Sequence, residues 1–191
     1  GDIRPPRFFN LKTDKRMACT QTLGGIPKDC STSMGGIVEV YIANHDDVAE
    51  KTLTDDVIKT ITMAKTAEPA PKFKKYTFPK GTGSMTSTLN VDATNGVNYV
   101  STELALQFKK METAKRVEIA ALAVGELAVI VKDANGKYWY LGYDEPVTAS
   151  AGDGSTGTAA TDANKYGITL LDNAQTFPYE VDAAALADIV D

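Results

Sequence analysis

The chain has 191 residues, 43% hydrophobic and 24% charged, with a net charge of −5. That length suits one domain able to bury a core without staples, and that balance excludes wholesale disorder. The longest apolar run, 119–131, is broken by Gly125 and Glu126 and falls short of the roughly 18 apolar residues that a membrane-crossing helix needs.

Charge is unevenly placed along the chain. Residues 1–16 hold five cations and two acids, a balance of +3, whereas 144–191 hold nine acids against Lys165 alone, a balance of −8. Opposed ends of this kind steer association between neighbouring copies, and serve equally well as two solvated termini. The leading sixteen residues, GDIRPPRFFNLKTDKR, lack the apolar stretch of a secretion signal. Pro5 and Pro6 exclude helix there, so an extended arm is expected, with Phe8 and Phe9 as the groups it would bury on docking. Cys19 and Cys30 fit free thiols in a reducing compartment.

A β-rich domain is expected over 17–182. Residues 37–43, IVEVYIA, are β-branched and nearly continuous, the pattern of a well buried strand. After a polar loop at His45-Asp46-Asp47, residues 57–63 and 72–78 read as two further strands separated by Glu68-Pro69-Ala70-Pro71. Residues 84–91 alternate and are rich in threonine, a turn follows at 92–96, and 99–109 read as the returning strand. The exception to the β pattern is 110–123, where alanine and charged helix formers recur at helical spacing up to Gly125. Residues 127–131 and 137–142 flank Asn135-Gly136 and form a hairpin, because that pair supplies positive φ cheaply. The small polar run 148–163 is expected as a long mobile loop. Residues 166–171 and 176–181 are expected to close the domain as a strand pair, and 183–191 to form a short helix or a tail.

Catalytic chemistry is sparse. The single histidine, His45, sits in a polar turn suited to a solvated side chain. The cysteines lack redox or zinc spacing, so neither metal nor cofactor is expected. Residues 162–173 imitate the start of a calcium loop and then fail, with Tyr166 and Asn173 where oxygen ligands are required. The carboxylate pairs Asp46-Asp47, Asp55-Asp56 and Asp144-Glu145 fall in expected loops, where solvated acids are the rule. Lys72, Lys74 and Lys75 around Phe73 and Tyr76 hint at single-stranded nucleic acid, but the acidic total favours a charged edge strand guarded against aggregation. Tyr138, Trp139, Tyr140 and Tyr143 are the one aromatic cluster dense enough for a small-ligand or carbohydrate pocket; on a strand Trp139 would face the core, with Tyr138 and Tyr140 on the opposite side. A non-enzymatic role is expected.

The order of elements matters here: strands, one amphipathic helix, an Asn-Gly hairpin and a small-residue segment before the last strands. Taken with Asp29-Cys30, Gly35-Gly36-Ile37-Val38-Glu39-Val40-Tyr41-Ile42-Ala43, Gly136-Lys137-Tyr138-Trp139-Tyr140-Leu141-Gly142, and Thr156-Gly157-Thr158 leading to Asp162 and Tyr166-Gly167-Ile168-Thr169-Leu170, it resembles structural proteins of tailed bacteriophages infecting Bacteroidetes. Among these it is most similar to tail tube proteins, over about 17–181. The resemblance implies a virion protein with an antiparallel β-sandwich or barrel-like core and a flanking helix. It further implies hexameric rings closed through continuous sheet and stacked into a hollow tube, through which DNA passes without specific contacts, alongside other tail or capsid proteins. Contacts between copies are then expected at Phe8 and Phe9, at Phe73 and Tyr76, and at Gly152, Gly154, Thr156 and Gly157. A capsid decoration or head-fibre protein is the alternative of the same class.

Overall fold

The computed structural model describes residues 23–64 and 68–191. The chain divides into a leading unit ending at Thr32 and a body of Ser33–Asp191. In the first unit the described residues, 23–32, hold neither helix nor strand and are exposed. The arm of residues 1–16, with Phe8 and Phe9, and Cys19 lie outside the described residues.

The body is a sandwich of two sheets, with no closed barrel. Its elements are β1 (Ile37–Asn44), a 3-10 turn (His45–Asp47), β2 (Val48–Thr54), β3 (Val57–Met63), β4 (Lys74–Tyr76), β5 (Ser84–Asp92), β6 (Val97–Lys109), α1 (Thr113–Val124), β7 (Leu127–Asp133), β8 (Tyr138–Leu141), β9 (Thr148–Ser155), β10 (Lys165–Ala174), β11 (Tyr179–Val181) and a second 3-10 turn (Ala183–Leu186). The larger sheet has seven strands in the order β2-β3-β11-β8-β7-β1-β4, and the smaller four in the order β5-β6-β10-β9. Among the described residues, no helix is long and apolar enough to cross a membrane.

Two apolar layers explain the sequence pattern. Between the sheets, Leu104, Leu106, Ile168 and Leu170 of the smaller meet Val40, Ile42, Val129 and Leu141 of the larger, with Leu122 of α1 closing the side. On the far face of the larger sheet, Tyr41, Ile58, Ile130 and Tyr140 pack with Phe73, Leu186 and Ile189. Strands β1 and β7 lie between these layers, so both side-chain phases are buried and the polar alternation of a half-exposed strand disappears. Strand β6 meets apolar neighbours on one face only and alternates from Val100 to Leu106.

Several expectations need correction. Residues 48–54, for which no element is expected from the sequence, form β2, which returns to β3 through Asp55-Asp56 at φ of 51° and 59°. Positive φ at both central residues is the two-residue hairpin turn that asparagine-glycine usually supplies. The expected mobile loop 148–163 is a strand over its first half, because β9 pairs in register with β10 from Thr148 to Ser155. Residues 176–181 do not pair with 166–171. β11 leaves for the other sheet and lies between β3 and β8, while β10 runs on to Ala174 against β6. The strand expected over 72–78 is ordered as such only at Lys74–Tyr76, with Phe73 bridging to Val190. Residues 183–191 pack rather than trail: Leu186 and Ile189 are buried, and Phe73 donates its N–H to the Ile189 carbonyl at 2.8 Å.

Leu170 is fully buried where the sheets meet. Its replacement by alanine leaves a cavity that close packing cannot refill, and Leu170→Ala is expected to lower the unfolding free energy by about 2–5 kcal/mol, read by urea denaturation.

Candidate assembly surface

A strand with only one neighbour presents unpaired N–H and C=O groups, and natural sheets guard such edges with charge, proline, shortness or bulges. The larger sheet does so at both ends. Edge strand β4 is three residues long, carries Lys74 and Lys75, and is flanked by Pro71 and Pro79. Lys75 donates to Glu39 Oε1 at 2.7 Å, Lys132 sits 3.6 Å from Oε2, and the Tyr41 hydroxyl donates to Oε2 at 2.7 Å. That network fastens β4 to β1 and β7. The lysine and the tyrosine hydrogen bonds hold the Glu39 carboxyl down from the ordinary 4.5 to about 2. At the opposite end, β2 carries Glu50 and Lys51 and is twisted by two register shifts against β3.

The smaller sheet is built differently. Its outer strands are β5, SMTSTLNVD, and β9, TASAGDGS, and among the described residues neither has a second strand neighbour. Within β5 the only ionised side chain is Asp92 at its end, and within β9 the only one is Asp153; neither strand contains proline. A shift at Ser150 is the sole bulge of β9, and from Ser150 to Ser155 every residue is exposed. The strand is made of small residues because it is pressed against β10. A side chain at Gly167 would strike the Asp153 carboxylate at 2.1 Å, and one at Gly154 would meet the Tyr166 ring at 3.1 Å.

The second face of the smaller sheet is mostly polar and small, with Leu171 and Tyr99 as its large exceptions. Register places Thr86, Glu103, Ala105, Gln107 and Thr169 together on the side away from the core. Cations appear on that side only at one rim, where Lys109 pairs with Lys165. The inward side includes two buried polar groups that sequence reading missed. Thr102 shares a 2.8 Å hydrogen bond with Ser87, and Asp172 accepts the Gly142 N–H at 3.2 Å. Burial, with Asp144 adding repulsion, pushes the Asp172 carboxyl up against the lowering effect of that N–H.

The expected contact residues fall into separate places. Gly152 and Gly154 lie on β9, and Thr156 and Gly157 in the loop that follows, so these four gather at one bare edge. Phe73 is instead fully buried inside its own chain and offers no side-chain surface to a partner. Tyr76 is half-buried, its ring tilted against Phe108 and its hydroxyl donating to Glu118; burial first, then that carboxylate, pushes the phenol up.

The other candidate sites are occupied by the chain itself. Among the tyrosines, Tyr143 packs tilted against Tyr179 with centroids 4.7 Å apart and meets Tyr140 edge-on at 6.4 Å. The Lys51 ammonium fills the space they frame, 4.9 Å from the Tyr143 centroid and 5.4 Å from that of Tyr140, and donates to the Tyr143 carbonyl at 3.0 Å. Burial pushes this lysine down, with Asp144 opposing. Tyr140, not Trp139, is the fully buried member; Trp139 is half-buried and donates its Nε1–H to Asp133 at 3.1 Å. The calcium-like loop spends its oxygens on backbone: Asp162 accepts from Thr158 and Ala159 at 2.8 and 2.7 Å, and Asn164 accepts from Met111 at 2.7 Å. Among the described residues no three His, Cys, Asp or Glu side chains group as metal ligands. His45 is half-buried rather than solvated, and its Nε2 has no partner among the described residues. Cys30 is an exposed thiol. Comparison with protein-family models, with curated proteins and with solved structures finds no match.

Because Glu39 is held below its unfolded value of 4.5, it contributes stability that is complete above pH 4.5 and is lost as the pH falls toward 2. Glu39→Gln is therefore expected to flatten the dependence of unfolding free energy on pH across that window, measured by urea denaturation at successive pH values.

Proposed function

We propose that the chain is a virion structural subunit that closes into rings with copies of itself, the rings stacking as the hollow tail tube of a bacteriophage. The observation that carries this reading is the contrast between the sheets: both edges of the larger are guarded by charge, proline or register shifts, whereas β5 and β9 of the smaller, the latter beside α1, carry one acid each and no proline. Selection against accidental pairing has acted on one sheet and spared the other, which is expected where pairing is the purpose. Strands β5 and β9 are different edges of one sheet, so their contact is head-to-tail, and it closes into a ring where the rotation between copies is a whole fraction of a turn. Six is the number that the sequence resemblance implies.

The polar face supports the same reading. In such a ring the four-stranded sheets join into one cylinder, and the side carrying Thr86, Glu103, Gln107 and Thr169 is free to line the lumen. Away from the Lys109–Lys165 rim, neutral polar side chains with scattered acids give phosphates little to bind, so DNA slides without sticking. The edge residues Gly152, Gly154, Thr156 and Gly157 are assigned to the subunit contact, and the basic segment 1–16, with Phe8 and Phe9, to contacts beyond it.

Electron microscopy of the purified chain at high concentration is expected to show rings with a central hole. Thr88→Lys on β5 and Ala151→Lys on β9, both at exposed positions, should each abolish them while leaving the circular dichroism of the single copy unchanged, since a charge on an edge strand opposes pairing without removing an N–H from its own ladder. A wild-type chain that stays monomeric at every concentration overturns the reading.

A further inference from the structure

The β5–β6 hairpin outruns its own sheet. Strand β10 stops pairing at Val100, so the rungs Tyr99–Asn90, Asn98–Val91 and Val97–Asp92 form a bare two-stranded ribbon. An isolated ribbon is marginal in water, and this one exposes apolar groups on both faces. Leu89 and Val91 stand 50% and 65% exposed on one, with Val97 and Tyr99 exposed on the other. Its turn is nevertheless fixed: Asp92 accepts the N–H groups of Thr94 and Asn95 at 2.9 and 3.2 Å and the Asn95 amide at 2.6 Å, and Gly96 takes φ of 65°. An apolar tip held rigid before contact gives up little entropy on docking.

At the other end of β5 lies an apolar groove of about 460 Å³, lined by Met34, Ile37, Val38 and Phe78 over the backbone of Gly35, Gly36 and Gly81. Met34 and Val38 are 60% and 49% exposed. The groove is also preformed. Asn135 clasps Met34 through both backbone groups, at 2.8 and 3.0 Å, and Ala134 donates to the Gly36 carbonyl at 3.0 Å. Gly83, which leads into β5, packs so closely on Phe78 and Ile37 that an added Cβ would approach them within 2.6–2.8 Å. Groove and ribbon therefore stand at opposite ends of one nine-residue strand, about 27 Å apart at the rise of an antiparallel strand.

We infer that the ribbon of residues 89–99 docks in the groove of a second copy of this chain, along the direction of β5. The charges agree: Lys80 is the one ionised residue lining the groove, and Asp92 is the one ionised residue of the ribbon. A tip and a matching socket at opposite poles cannot satisfy each other within one copy, so the contact is head-to-tail, and with copies displaced along β5 it repeats as an axial stack. The inference rests on the ring reading for what is stacked, and adds which surfaces hold successive layers together.

Disulfide trapping between full-length chains tests it, in a Cys19→Ser, Cys30→Ser background. Val91→Cys chains mixed with Val38→Cys chains are expected to cross-link about tenfold faster than with Val124→Cys chains, whose α1 site is more exposed but outside the groove, because docking raises the local thiol concentration. Equal rates overturn the inference. So does preferential capture of Val38→Cys by Phe8→Cys, which would give the groove to the chain's own leading segment. Selective cross-linking without rings in the microscope would keep the axial contact and sink the ring reading, whereas rings without selective cross-linking would do the reverse.

Discussion

Burial of the seven-stranded sheet on both faces is the constraint from which the rest of the architecture follows. Strands β1 and β7 face the smaller sheet on one side and Phe73, Leu186 and Ile189 on the other, so over 40–43 and 127–131 neither has a phase left for water. A sheet enclosed in this way consumes the apolar surface the chain can supply, and its exposed ends must be fenced. The smaller sheet contributes one face to that enclosure. Its other face and its two flanks stay free for a different use, and they are where charged guards are missing.

What could be read from the residues depended on whether local chemistry or long-range pairing decides the structure. The Asn135-Gly136 hairpin, the apolar runs of β1 and β7 and the helix ending at Gly125 are written locally, in turn preference, β-branching and helix propensity. Strand β2 was hidden because it alternates Glu, Lys and Thr with few apolar residues and turns on two aspartates rather than asparagine and glycine. Strand β9 was hidden more thoroughly. Thr, Ala, Ser and Gly carry no strand signal of their own, and the segment is extended only because β10 offers it a ladder. The placement of β11 between β3 and β8 rests on contacts that no local pattern encodes.

The same division holds for the candidate site. Gly152, Gly154, Thr156 and Gly157, expected at a contact from composition, lie together at one flank, the first two in β9 and the last two in the loop after it. Phe73 was misjudged because its lysine neighbours face water on a short edge strand while its own ring turns inward. Trp139 and Tyr140 were assigned to opposite faces correctly but to the wrong depths, since both faces of this sheet are covered and the deeper lies under the C-terminal residues. Lys51, which fills the space between Tyr140 and Tyr143, could not be found by pattern, because its partners lie on strands distant in sequence.

The clasp between Phe73 and residues 189–191 has a consequence for biosynthesis. Lys74, beside that phenylalanine, is salt-bridged to Asp191, 117 positions further along. A chain emerging from the ribosome can build the β5–β6 hairpin early, but the apolar layer over Tyr41, Ile58 and Tyr140 stays uncovered until nearly all the described residues have been made. Contacts of such long separation form slowly. Translation that stalls before Leu186 would release a product whose greasy underside is open, a substrate for chaperones and proteases rather than a competitor for its finished siblings.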